Sequence, residues 1–192
     1  MTIKIPTVSY GGRIGWYVGK PNEKPRVSGG TLASICGEEE DNDKSKNMIV
    51  DEGLNSLANG GSTSSRFDTC FVGTGTSETT ASMTSLQAEY SSGNGGNNYA
   101  INPTAISNSA TSAPWWHELT RTFQFPANGV DGAALTEVGF FDNSSSSKKM
   151  FSRVLFRDNL GNPTTVTVLE GEQLTIKKIV TLVPISESAI IL

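Results

Sequence analysis

His117 is the only histidine in the chain, and it stands in the run Trp115-Trp116-His117-Glu118. Acid–base work by an imidazole needs a nucleophile and an orienting carboxylate converging on it. Adjacent residues of a strand project to opposite faces, so Glu118 is badly placed to serve His117. A packed or interface side chain is the better reading. The glycines of Val72-Gly73-Thr74-Gly75-Thr76 invite comparison with a phosphate-binding loop. A dinucleotide site needs a third glycine and a following helix whose amides face the pyrophosphate. Here position 78 is Glu78, Ser77–Met83 has no helical pattern, and the Gly-Lys-Ser/Thr of a Walker loop is missing. We read these glycines as a tight turn at a strand end.

The remaining reactive types are weaker signals. Glu38-Glu39-Glu40-Asp41-Asn42-Asp43 is rich in hard oxygen donors but lacks the alternate spacing of a calcium loop, and Lys44 and Lys46 follow at once. A solvated loop is the expectation. Glu118, Glu137, Asp142 and Glu170 could supply paired carboxylates for glycoside hydrolysis, but the needed separation is spatial and any β-rich chain of this size has such acids. Cys36 and Cys70 are too few and too far apart for a disulfide framework or a metal knuckle, so buried free thiols are expected. No catalytic residue, cofactor or metal follows from these patterns. Trp115 and Trp116 remain as interface candidates, because one of such a pair is commonly core and the other a subunit contact.

These residues must be positioned mostly by strands. From Trp115 to Phe125, one alternate set is Trp115, His117, Leu119, Arg121, Phe123 and Phe125, and the other is polar apart from Trp116. That period of two is a half-buried strand. Further strands are read at Phe67–Gly75, Leu135–Phe141, Met150–Arg157, Thr164–Leu169 and Gln173–Val183. Between them lie Asn128-Gly129, Asp131-Gly132, the serine-rich Asp142–Lys149 loop and Asp158–Pro163. The gaps are too short for crossover helices, so antiparallel hairpins are expected. Ile3–Val8 and Arg13–Val18 read as short apolar pieces broken at Gly11-Gly12, and Ser91–Ala113 reads as a long loop. One short helix is expected, N-capped at Asp51, carrying a Leu54/Leu57/Ala58 stripe and stopped at Asn59-Gly60.

The expected fold is therefore all-β: an antiparallel β-sandwich of jelly-roll type with one short α-helix. Residues 47–183 form the sandwich domain. Residues 1–46 supply N-terminal strands and a charged loop, as part of that domain or as an attachment arm. Residues 184–192 form a C-terminal tail whose Ala189, Ile190, Ile191 and Leu192 are candidates for docking on a partner chain.

Composition narrows the function classes. With 15 basic and 19 acidic residues among 192, the formal charge is −4, which argues against nucleic-acid binding and against a polybasic membrane surface. No apolar run reaches the roughly 18 residues of a spanning helix. Met1–Gly12 lacks the pattern of a secretory leader, so synthesis and assembly in a cytoplasm are expected. Only 18% of residues are charged, against about a quarter in typical domains, which suits packed assemblies.

Several blocks together resemble small structural proteins of tailed bacteriophages. They begin with Asn47-Met48-Ile49-Val50-Asp51-Glu52-Gly53-Leu54 and Phe71-Val72-Gly73-Thr74-Gly75-Thr76. Next come Arg121-Thr122-Phe123-Gln124-Phe125-Pro126 and Leu135-Thr136-Glu137-Val138-Gly139-Phe140. Phe151–Asp158, Gly161–Leu169 and Glu172-Gln173-Leu174 complete the set, spanning most of residues 47–183. The resemblance implies a non-enzymatic virion component located in the particle and partnered by its own copies and other virion proteins. It transfers no catalytic residue. A tail-associated role (fibre, collar or baseplate) is the first expectation. Alternatives are a capsid decoration or cement protein, and a carbohydrate-binding receptor module in which Trp115 and Trp116 contact a host surface glycan. A hydrolase ranks third.

Overall fold

The computed structural model describes residues 2–30, 48–58, 67–91, 99–101, 105–110, 117–125, 129–142 and 148–191. In chain order the elements are β1 (Thr2–Gly19), β2 (Val27–Gly30), β3 (Met48–Ile49), α1 (Asp51–Ala58) and β4 (Thr69–Gly73). They continue as β5 (Tyr99–Ile101), β6 (Ala105–Ala110), β7 (His117–Gln124), β8 (Ala134–Leu135) and β9 (Glu137–Asp142). The last three are β10 (Lys149–Leu155), β11 (Val166–Thr167) and β12 (Gln173–Ile191). One five-stranded sheet runs β2-β1-β12-β7-β6, a second runs β3-β10-β9-β4-β5, and β11 and β8 form a small third sheet. Every pairing between these strands is antiparallel. The chain is thus mostly β with one short helix among the described residues, as its periodicity implies.

The two large sheets share one apolar core. Ile14, Trp16, Val18, Phe123, Leu174 and Ile176 come from the first sheet, and Cys70, Val72, Val138, Phe140 and Val154 from the second. Phe123 of one meets Phe140 of the other with ring centroids 5.5 Å apart. Trp16 packs edge-on against Phe156 and donates its indole N–H to the Arg157 carbonyl at 2.9 Å. Gly29 makes this possible: a Cβ there would lie 2.4 Å from that carbonyl and from the Trp16 ring. β9 (EVGFFD) is buried at all six positions, because it is the middle strand of its sheet and both of its faces are covered. Its second face meets a smaller cluster of Val50, Leu86, Phe141 and Met150, closed by Met83 and Phe71.

Several local expectations change in the tertiary setting. Gly11 and Gly12 do not break β1, because they pair with Thr181 and Val180 of an uninterrupted partner. Part of Ser91–Ala113 is strand: β5 and β6 are the outermost strands of their sheets, where backbone pairing needs no large side chain. The Thr164–Leu169 strand shrinks to the two residues of β11. The helix cap moves by one residue, because the Val50 carbonyl accepts the first helical bond from Leu54 N–H at 2.9 Å. Asp51 N–H instead donates to the Ala81 carbonyl at 2.9 Å, and the Glu52 carboxylate accepts Met150 N–H at 2.9 Å. Leu54 is 41% exposed, so the expected stripe does not face the core there.

The helix packs through Gly53 instead. A Cβ at Gly53 would stand 2.1 Å from the Phe151 carbonyl oxygen, a backbone atom of β10 that has little freedom to retreat. Gly53→Ala should therefore destabilise the protein by about 1–3 kcal/mol, despite the gain of about 1 kcal/mol in helix propensity that alanine brings elsewhere. Urea unfolding measures this, and a midpoint at or above the wild-type value would contradict the close helix–strand contact.

Candidate functional site

Trp115, Trp116 and Leu192 lie outside the described residues, as do Cys36 and the acidic run 38–43. His117 stands at the start of β7, in register between Ala110 of β6 and Leu182 of β12. Ala189, Ile190 and Ile191 end β12, in register with Lys4, Ile3 and Thr2. The four candidate carboxylates are not brought together. Glu118 is on β7 and Glu170 is exposed, whereas Glu137 and Asp142 occupy the two ends of β9 and are buried. No cluster of three or more His, Cys, Asp or Glu suited to a metal occurs among the described residues.

Glu137 is the centre of a buried network. Its carboxylate accepts Arg153 Nε–H at 2.5 Å, and both side chains are fully buried. It also accepts the backbone N–H groups of Gly75 (3.0 Å), Gln87 (3.2 Å) and Ala88 (2.8 Å). Arg153 in turn donates to the Ser77 carbonyl at 2.7 Å and to Thr79 Oγ1 at 3.2 Å. The pair thus ties the segment from Thr74 to Tyr90 down over the outer face of the second sheet. The Val72–Thr76 glycines serve this closure. A Cβ at Gly73 or Gly75 would lie 2.5 or 2.6 Å from Glu137 Oε1, so glycine is needed for close approach to a carboxylate, not to a phosphate.

A second polar cluster lies between the large sheets. Cys70, Phe140 and Ser152 are direct cross-strand partners on β4, β9 and β10, and a bulge at Phe151 interrupts the β10 register just before Ser152. Lys178 reaches this row from β12 and donates to Ser152 Oγ. Its amino group lies 4.1, 5.1 and 5.5 Å from the ring centroids of Phe140, Phe151 and Phe67. Burial drives the Lys178 ammonium well below the usual lysine range, against the opposing charges of Cys70 and Asp142. Burial likewise pushes the free Cys70 thiol well above its usual value, with Lys178 opposing. Nearby, Asp142 accepts Phe67 N–H at 2.6 Å, and the buried Arg121 guanidinium lies 4.7 Å from the Phe67 ring centroid.

A lysine whose pKa is lowered by burial, set beside a serine hydroxyl, is a pairing that can activate a serine nucleophile. Here Lys178 and Ser152 are both 0% exposed and roofed by three phenylalanines, so no substrate atom reaches the hydroxyl in this conformation. The pair satisfies polar groups within the core. A cleft of about 320 Å³ opens elsewhere, lined by Thr76, Thr136, Leu155, Pro163, Thr164 and Thr165, none of which titrates.

The remaining feature is at the chain ends. β1 and β12 are 18 and 19 residues long, and they pair from Thr2↔Ile191 to Gly19↔Gln173. β2 flanks β1 only at Gly15–Val18, and β7 flanks β12 only at Thr175–Leu182. Residues 2–9 and 183–191 therefore run on as a two-stranded ribbon whose outer edges have no strand partner among the described residues. Sequence reading missed Glu137–Arg153 and Lys178–Ser152 as pairs, since nothing local links residues 16 or 26 positions apart. Compared with known proteins, the chain matches no family model, no curated protein and no solved structure.

Two predictions follow from the buried groups. Glu137→Gln places an amide N–H₂ among four donors and leaves the Arg153 charge unpaired, which should cost about 3–5 kcal/mol. Hydrogen exchange at Gly75 and Ala88 should accelerate with it, and unchanged protection there would show that the loop is held otherwise. For Lys178, the unfolded chain binds a proton that the folded chain does not, from the folded pKa up to about 10.4, so stability rises with pH over that window. For Cys70, the unfolded thiol ionises above about 8.5 while the folded one stays protonated, so stability falls with pH there. The two slopes offset between about 8.5 and 10.4, leaving a decline above that window. Urea unfolding across pH should show Lys178→Met losing the rise and Cys70→Ala losing the decline. Parallel profiles for all three proteins would refute this assignment.

Proposed function

We propose that this chain is a non-enzymatic structural component of a tailed-bacteriophage virion, tail-associated as part of a fibre, collar or baseplate. It acts by self-association and by docking to other virion proteins, after synthesis in the cytoplasm of a bacterial host. The finer architecture we propose is a jelly-roll-type sandwich. It is supported by hairpins kept within a sheet (β1–β2, β6–β7, β9–β10) and by connections that cross between the two large sheets (β5 to β6, β7 to β9, β10 to β12).

The observation that carries the functional reading is the terminal ribbon, whose outer edges have no strand partner among the described residues. A two-stranded ribbon is marginal by itself in water, and unpaired strand edges are ready to pair with another chain. The blocks that resemble phage structural proteins support it from another side. They fall on β3 with α1, on β4, β7, β8, β9, β10 and β11 and on the turn into β12, which are the elements that build the core and its outer cover. The ribbon lies outside them, where attachment would differ from one particle to the next. The core's reactive-looking groups are consumed in internal contacts, consistent with a protein that works by holding shape.

The test is to purify particles from a culture carrying the gene, separate heads from tails, and quantify the chain in each by mass spectrometry. Recovery in fixed proportion to tail proteins is the expected result. Recovery with heads alone would move the protein to capsid decoration, and its absence from particles would overturn the virion reading.

A further inference from the structure

We propose that the cleft lined by Thr76, Thr136, Leu155, Pro163, Thr164 and Thr165 is a binding site for a neutral saccharide. The ligand class follows from what the walls offer and from what they have already spent. This adds a binding activity to the assembly reading and does not rest on it.

At about 320 Å³ the cleft falls at the lower end of the range for small-molecule sites, with room for about one or two sugar rings. Threonines dominate its described lining. Each sets a methyl beside a hydroxyl, and a pyranose likewise alternates C–H and O–H around its ring. Leu155 and Pro163 add apolar surface for the C–H face of a sugar. The hydroxyls of Thr76, Thr164 and Thr165 make no hydrogen bond to another described residue, so each can both donate and accept. Thr136 Oγ1 donates to the Gly75 carbonyl at 2.8 Å and keeps its capacity to accept.

Two other ligand classes fit poorly. A peptide that adds as a strand needs unspent backbone donors. Here Thr76 N–H goes to Gln87 Oε1 at 2.8 Å, Thr136 N–H to the Gly73 carbonyl at 2.9 Å and Thr164 N–H to the Phe156 carbonyl at 2.9 Å. A charged ligand needs an opposite charge, and none of the described lining residues titrates. Arg157, which bridges to Pro163, is occupied by both Glu78 carboxylate oxygens and by the Gly161 carbonyl, each at 3.1 Å. The walls are also fixed in advance. Gly75, beside Thr76, donates its N–H to Glu137 at 3.0 Å, and the Asp158 carboxylate accepts Leu160 and Asn162 N–H at 2.9 Å. A preformed cleft spares its ligand the entropy of ordering it.

The experiment is saturation-transfer-difference NMR on the full chain. The probes are the methyl glycosides of glucose, galactose, mannose, rhamnose and N-acetylglucosamine, set against glucuronate and trialanine. At least one neutral glycoside should show transfer, with a dissociation constant on the order of millimolar for so small a contact. Thr76→Val and Thr164→Val, both at solvent-accessible positions, should keep the wild-type unfolding midpoint. Each should weaken that glycoside by roughly threefold to tenfold. Thr165→Trp, which fills the cleft, should abolish its binding. No transfer to any neutral glycoside would overturn the proposal, as would transfer confined to glucuronate or trialanine. Binding untouched by every one of these variants would overturn it too, since the sugar would then sit elsewhere. Failure to bind sugar would leave the virion reading standing, and absence from particles would leave the cleft's assignment standing.

Discussion

One buried carboxylate decides how the second sheet can be covered. Glu137 sits at the start of a strand enclosed on both faces, and its charge is balanced by Arg153 and by three backbone N–H groups from a single loop. Taking two charges out of water costs several kcal/mol per ion unless geometry and additional hydrogen bonds compensate. Here the compensation comes from the loop, so the loop and the ion pair require each other. Loop residues Leu86 and Met83 then cover Phe141, Met150 and Val50, and a face that would otherwise be exposed becomes a second small core. The glycines at 73 and 75 are the steric condition for this arrangement, since side chains there would collide with the carboxylate.

The core between the large sheets carries its own polar exception. Lys178 spans from β12 to the Cys70–Phe140–Ser152 row and rests among aromatic faces, while Arg121 lies over Phe67. Burial favours the neutral form of a lysine so placed, and its contact with Ser152 bridges the two sheets. At the periphery, Arg26 links the chain leading into β2 to the turn before β12, binding the Glu172 carboxylate at 2.6 Å and the Thr167 carbonyl at 2.7 Å. That contact lowers the Glu172 carboxyl below the ordinary range even though burial opposes it.

The terminal strands reach beyond this braced body. β1 and β12 are anchored in the first sheet along one part of their length and extend past every other described strand along the rest. The anchored part aims the ribbon, and the extended part offers hydrogen-bonding edges.

Much of the scaffold was legible in the sequence. The alternation through Arg121, Phe123 and Phe125, the strands at β4, β9, β10 and β12, and the helix at Asp51–Ala58 follow from local pattern, because periodicity and turn residues act over a few positions. Other features were decided only by partners far along the chain. β1 runs through Gly11-Gly12 because β12 lies beside it, and the small polar residues of β6 form a strand because β7 offers its edge. Gly53, not Leu54, faces β10, since backbone contact left no room for a Cβ. The pairing of Glu137 with Arg153 and of Lys178 with Ser152 could not be read from spacing, because burial and charge balance are set by what the folded chain brings overhead. Residue order determined which segments extend and which turn. Tertiary structure determined which polar groups lose water, and therefore which of them had to find each other.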